Sequence, residues 1–208
     1  MKNSLLEVRN KSYGEGYKLS FIDEFGINLS AKKVFKSISK LSGNISCLDI
    51  GCGYNAMLLK KLLPNISQGV GIDVSINKDL KDIKNLKFIE SPIETAINQL
   101  SGKSFDLILI MSVLEHLNDP LLTLKRSYEH LNEGGYLFIN VPTWLGKVFL
   151  EFSAFKLGLS PFYEMDDHKM YYDKKDLWPL LVKAGFKPSN IEMKYHKFGL
   201  NLFAEVKR

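Results

Sequence analysis

Residues able to do chemistry sit in three places along the chain. The first is Leu48-Asp49-Ile50-Gly51-Cys52-Gly53-Tyr54-Asn55, where an apolar run passes through two glycines into a helical pattern carried by Met57, Leu58, Leu62 and Leu63. Gly51 and Gly53 allow a sharp bend and let a ligand approach bare backbone, and the helix N-terminus that follows offers unpaired N–H groups. Asp49 selects the ligand: its charge repels a pyrophosphate and attracts an ammonium or a sulfonium. The second place is Asp73, about twenty residues past the glycines at the end of another apolar run, where a carboxylate can accept both hydroxyls of a ribose. Its plain alternative is a helix N-cap or a loop acid. The third is Glu115-His116 after the run Phe105–Met111, together with His168 in the polar stretch Glu164-Met165-Asp166-Asp167-His168. An imidazole near neutral pKa can take a proton from a hydroxyl acceptor, which makes His168 the main catalytic candidate, while Glu115 and His116 would orient the acceptor or the cofactor. The alternatives are capping and packing for His116, and a bond to Asp166 or Asp167 for His168. Spacing among these groups matches no metal-ligand pattern, so no metal is expected.

Parallel strands alternating with helices would position these residues. Ser30 is expected to cap a helix with Ala31, Val34, Phe35, Ile38 and Leu41 on one face. Strands follow over 45–50, 68–74, 86–90, 105–111 and 136–141, separated by helical patterns, with Gly134-Gly135 ending the helix that starts at Asp119-Pro120. A last helix over 173–184 is expected to kink or start late at Pro179. Two strands, 191–195 and 200–206, close the chain. Strands apolar on nearly every residue belong in a sheet covered on both faces. The expected fold is therefore α/β: a doubly wound, Rossmann-like sheet, mostly parallel with a C-terminal antiparallel strand, in three layers. It forms a single domain over 1–208, with an N-terminal arm over 1–29 and an acceptor-side lid or insertion over 143–170.

Composition narrows the class further. The net charge of +5 is spread over scattered lysines with no basic block, which argues against dedicated nucleic-acid binding. Cys47 and Cys52 fit neither a disulfide framework nor a zinc site, and no stretch reads as a signal or a membrane span, so a cytoplasmic location is expected.

Taken in order, Leu48–Gly53, Gly71–Val74, Phe105–His116 and Leu131–Leu137 resemble the motifs of class I S-adenosylmethionine-dependent methyltransferases, in particular the small-molecule branch with Leu-Glu-His after the fourth strand. The tail, with His168, Tyr171-Tyr172 and Leu177 to Phe186, is similar to that branch too. The resemblance implies S-adenosyl-L-methionine as cofactor and S-adenosyl-L-homocysteine as product. It places the methionine part on Asp49, Gly51 and Gly53 and the ribose on Asp73 and Val74. Adenine falls beside Ser91 and Ile93, and Met111 and Ser112 face the cofactor. Two departures stand out: Pro92 where many members carry Asp, leaving Glu90 and Glu94 as nearby acids, and Asn55 in place of a frequent third glycine. By the same resemblance the acceptor is a small molecule, a saccharide or a lipid-linked precursor, methylated at oxygen. The aromatic segment 143–163, with Trp144, Phe149, Phe152, Phe155, Phe162 and Tyr163, reads as a lid or as core packing. A homodimer surface and a peripheral membrane contact are its alternatives. Two rival functions are a non-catalytic S-adenosylmethionine-binding module and an NAD-dependent oxidoreductase, the latter disfavoured by Asp49.

Overall fold

Strands with almost no polar residues need helices over both faces, and the computed structural model has that arrangement over the residues it describes, 21–152 and 168–208. In chain order these are α1 (Phe21–Ile38), β1 (Ser46–Ile50), α2 (Met57–Leu62), β2 (Gln68–Asp73), β3 (Leu86–Glu90), α3 (Ile93–Ala96), β4 (Phe105–Met111), α4 (Pro120–His130), β5 (Leu131–Pro142), α5 (Trp144–Phe152), α6 (Lys174–Ala184), β6 (Ile191–His196) and β7 (Asn201–Lys207). The sheet order is β3-β2-β1-β4-β5-β7-β6. Its first five strands run parallel, and β7 inserts antiparallel between β5 and β6. Strand order reverses between β1 and β4, so their carboxyl ends flank the crevice where open α/β sheets bind ligands.

Two apolar clusters, one on each face, follow from the period of two along each strand. Leu48 and Ile50 of β1, with Ile108 and Ile110 of β4, pack beneath Ala96, Leu124, Leu177 and Leu181 of α3, α4 and α6. Cys47, Leu107 and Leu109 face the other way, against Val34 and Ile38 of α1 and Leu59 and Leu62 of α2. Parity puts Asp49 on that second face, under the glycine turn.

Three boundaries differ from the sequence reading. Ser30 lies inside α1, which begins at Phe21, so the helix takes in the end of the expected N-terminal arm; residues 1–20 lie outside the described set. Strand β5 starts at Leu131, which pairs with Phe105, so Gly134-Gly135 is a feature of the strand and the helix ends before it. Pro179 sits within α6 without ending it. A capping box between Asp173 and Asp176 fixes the helix start, and burial of Leu177 and Leu181 outweighs one lost backbone bond. Among the described residues no helix is long and apolar enough to cross a membrane.

Candidate active site

The glycine turn is built by left-handed backbone. Gly51 has φ +73°, and a Cβ there would stand 2.2 Å from Val113 Cγ2. Gly53 has φ +74°, and its missing Cβ points into open space. Amides of Gly51 and Cys52 both donate to the Ile72 carbonyl, which folds the turn over the end of β2. The left-handed residue ahead of α2 is Ala56, at φ +44°, not Asn55, whose side chain accepts instead from Asn77.

Asp73 is tied to this turn. Its Oδ2 accepts from the Gly53 amide at 2.8 Å and its Oδ1 from Val74 N–H at 2.7 Å. Asp49 lies deeper, 1% exposed, with Oδ2 accepting no hydrogen bond. Burial, with a smaller push from the Asp73 charge, raises its pKa to about 7. The two acids are therefore neighbours at one strand-edge crevice, and the inner one is an uncompensated negative site. That is the environment a small cation relieves. Ser91 follows β3 and donates its amide to the Asp73 carbonyl, and Ile93 opens α3 with its side chain buried. Met111 ends β4, and Ser112 beside it takes the left-handed region at φ +56°. The residues expected to surround a nucleoside cation thus come from the ends of β1, β2, β3 and β4. An uncompensated buried oxygen and a Cβ-free wall at Gly53 fit such a ligand.

Across the crevice, Glu115 and His116 lie in the turn after β4, and the fold brings His168 to them. Backbone bonds from Lys169 and Met170 to the Glu115 carbonyl, and from Tyr172 to the Pro142 carbonyl, lay the segment after His168 across the ends of β4 and β5. The His116 and His168 ring centroids are 4.8 Å apart, and His168 Nδ1 lies 3.0 Å from the Tyr171 hydroxyl. Glu115 is 1% exposed, with Oε2 lacking a hydrogen-bond partner. Burial raises its pKa to about 8, against a smaller lowering from its own backbone amide and from Lys197. Glu115 carries no more than an orienting role in the sequence reading, because burial is invisible there. Asp166 and Asp167 lie outside the described residues, as do Phe155, Phe162 and Tyr163 of the expected lid. The described part of that lid, α5, exposes Leu145, Val148 and Phe149.

A parallel sheet with this strand order, a glycine turn over a buried acid and a second acid at the end of β2 define a class I S-adenosylmethionine-dependent methyltransferase domain. Comparison with known proteins agrees: residues 24–190 match the family model described as a methyltransferase domain, and the chain belongs to that family. S-adenosyl-L-methionine is the cofactor that goes with it. The chain is 24% identical over 131 residues to a ubiquinone biosynthesis O-methyltransferase of Acinetobacter baylyi, covering 59% of this chain and 49% of that protein. It is 30% identical over 148 residues to a tRNA U34 carboxymethyltransferase of Campylobacter lari, covering 67% of this chain and 50% of that one. The chain thus spans about half the length of these relatives. Among solved structures, the N-methyltransferase NodS of Bradyrhizobium japonicum WM9, in complex with S-adenosyl-L-homocysteine, superposes with a TM-score of 0.63 at 16% identity, covering 99% of this chain and 97% of that one.

Proposed function

We propose that this chain transfers a methyl group from S-adenosyl-L-methionine to an oxygen of a small-molecule, saccharide or lipid-precursor acceptor. One observation supports the reading: Asp49 and Asp73 stand at the ends of β1 and β2, and the paired rings of His116 and His168 lie past the end of β4, so the two groups flank the β1–β4 switch point. Asp49 sets the negative potential for the ammonium and sulfonium, and the open space beside Gly53 admits the rest of the methionine part. Asp73, held by amides of Gly53, Val74 and Ser75, stands at the end of β2 where the ribose hydroxyls would lie. Ser91 and Ile93 border the adenine, while Met111 and Ser112 wall the crevice from the β4 side. The bound cofactor supplies a methyl group already activated on a sulfonium, which departs as a neutral thioether. His168 accepts the hydroxyl proton as the acceptor oxygen bonds to the methyl carbon, and Tyr171 holds the imidazole in orientation. His116 packs beside it and fixes the acceptor. Alignment and exclusion of water supply most of the acceleration.

The likeness to the O-methyltransferase of Acinetobacter baylyi supports oxygen as the methylated atom. The test is incubation with methyl-labelled cofactor and cell extract, followed by mass spectrometry of whatever gains label. Label on the oxygen of a small acceptor is the expected result. Label on RNA, on nitrogen or on carbon overturns the acceptor assignment, and none at all favours a cofactor-binding module without activity. A melting shift with S-adenosylhomocysteine but not with NAD separates this reading from the oxidoreductase.

A further inference from the structure

The turn after β4 and the segment after His168 bring together three groups that are scattered in sequence. Glu115, His116 and His168 each offer one ligand atom, and these atoms lie within 4.8 Å of one another. A metal with ligands at about 2.1 Å needs them roughly 3.4 Å apart, so closure asks for a contraction of up to about 1.4 Å. Both imidazoles are only half-buried and can rotate to make it. Two further features distinguish this group from a chance surface cluster. The Glu115 carboxylate is buried with Oε2 unpartnered, which is costly for a group with nothing to bind. Tyr171 stands at hydrogen-bond distance from Nδ1 of His168, the kind of outer partner that fixes the orientation of a ligating imidazole.

We propose that Glu115, His116 and His168 bind a divalent first-row transition cation. Two imidazoles and one carboxylate suit zinc or manganese, whereas magnesium and calcium prefer all-oxygen sites. Three protein ligands leave positions open for the acceptor oxygen. The cation would polarise the hydroxyl there and ease loss of its proton, the task given to His168 in the metal-free reading. That purpose rests on oxygen methylation as proposed above; cation binding itself does not. Lys197, whose charge acts on Glu115 from the β6–β7 turn, opposes the cation and sets a reversible affinity rather than that of a structural zinc site.

The test uses the untagged full chain, stripped with a chelator and titrated with zinc or manganese by calorimetry, with cobalt as a visible-absorption probe. One equivalent should bind. Glu115→Gln and His168→Gln should each abolish stoichiometric binding while melting and S-adenosylhomocysteine affinity stay intact, and Tyr171→Phe should weaken binding roughly tenfold. Lys197→Gln should tighten it several-fold, an effect that misfolding cannot imitate. Absence of stoichiometric binding, or binding indifferent to Glu115 and His168, overturns the site. If the cation binds but label lands away from oxygen, the site stands and the acceptor assignment falls. If oxygen is labelled by chelator-treated protein that binds no cation, the reverse holds.

Discussion

The two ends of this sheet treat carboxylates in opposite ways. At the amino end, Asp106 of β4 accepts from the Ser46 amide at 2.8 Å, from the Ser46 hydroxyl at 2.7 Å and from Asn132 at 2.8 Å. Partial burial pushes its pKa up, but those bonds prevail and hold it below the usual carboxylate range. At the carboxyl end, Asp49, Glu115 and Asn140 each keep a buried oxygen with no hydrogen bond, and burial lifts both acids towards neutrality. Of these acids, Asp106 is finished, whereas Asp49 and Glu115 each keep an oxygen waiting for a partner. An unpaired buried oxygen costs about 1–3 kcal/mol, so three on one edge favour that edge as the place for a ligand. The contrast also explains why the functional reading falls on the strand ends that carry Asp49 and Glu115 and not on Asp106.

The sharpest way to break the contrast is at the acceptor side. His168→Gln is expected to lower kcat for methyl transfer by about 10²-fold or more while leaving S-adenosylhomocysteine affinity unchanged. Isothermal titration beside single-turnover kinetics measures both, and an equal loss of cofactor affinity would make His168 a scaffold residue. On the cofactor side, Gly51 and Gly53 should part company. Gly51→Ala meets Val113 and a left-handed backbone together, so it should lose about 2–4 kcal/mol of stability in urea. Gly53→Ala bears only the backbone strain, about 1 kcal/mol, because its Cβ enters open space. If that space belongs to the ligand, the Gly53 variant should stay folded and still bind S-adenosylhomocysteine poorly.

Asp49 gives the pH signature. The folded chain holds its proton between pH 4 and about 7, where the unfolded chain has already lost it. Stability of the ligand-free protein therefore falls as pH rises through that window, and Glu115 extends the decline to about 8. The cofactor cation prefers the ionised acid, so its affinity should climb from pH 5 to 7 with release of a proton. Asp49→Asn should flatten both curves and weaken binding about tenfold at pH 7, more than Asp73→Asn does, because Asp49 answers formal charge. Melting curves and calorimetry in buffers of different ionisation enthalpy check this; a steeper loss for Asp73→Asn would recast Asp73, through its bond to Gly53, as the residue that shapes the turn.

Much of the cofactor side was legible because its parts are consecutive. Asp49, Gly51 and Gly53 span five residues, and Asp73 ends the next strand, so periodicity and turn chemistry alone place them together. The same local logic misread Ser30, since Gly26 and Asn28 are weak helix formers that tertiary packing nevertheless holds within α1. The acceptor side resisted for a different reason. His168 reaches Glu115 only through backbone bonds from Lys169 and Met170, made across some fifty residues, and no local pattern announces them. Burial of Glu115 is likewise a property of the folded layers, since its neighbours in sequence are a leucine and a histidine of no particular period.

The satisfied end offers the smallest effect and the cleanest control. Asp106→Asn keeps the shape but turns one acceptor oxygen into a donor facing either Ser46 or Asn132, breaking bonds that are charge-assisted at present. It should cost about 1–2 kcal/mol of stability, with the loss fully present at neutral pH and shrinking in acid, as the wild-type carboxylate takes up its proton and forfeits the same bonds. Because this site lies at the far end of β4, S-adenosylhomocysteine affinity and methyl transfer should be unchanged at a temperature well below melting. Denaturant titration at pH 7 and at about pH 2, below the lowered pKa of Asp106, set beside ligand affinity at pH 7, reads all three. A drop in cofactor affinity without a drop in stability would mean that the two edges communicate through β4, and the division between a finished end and a waiting end would then be wrong.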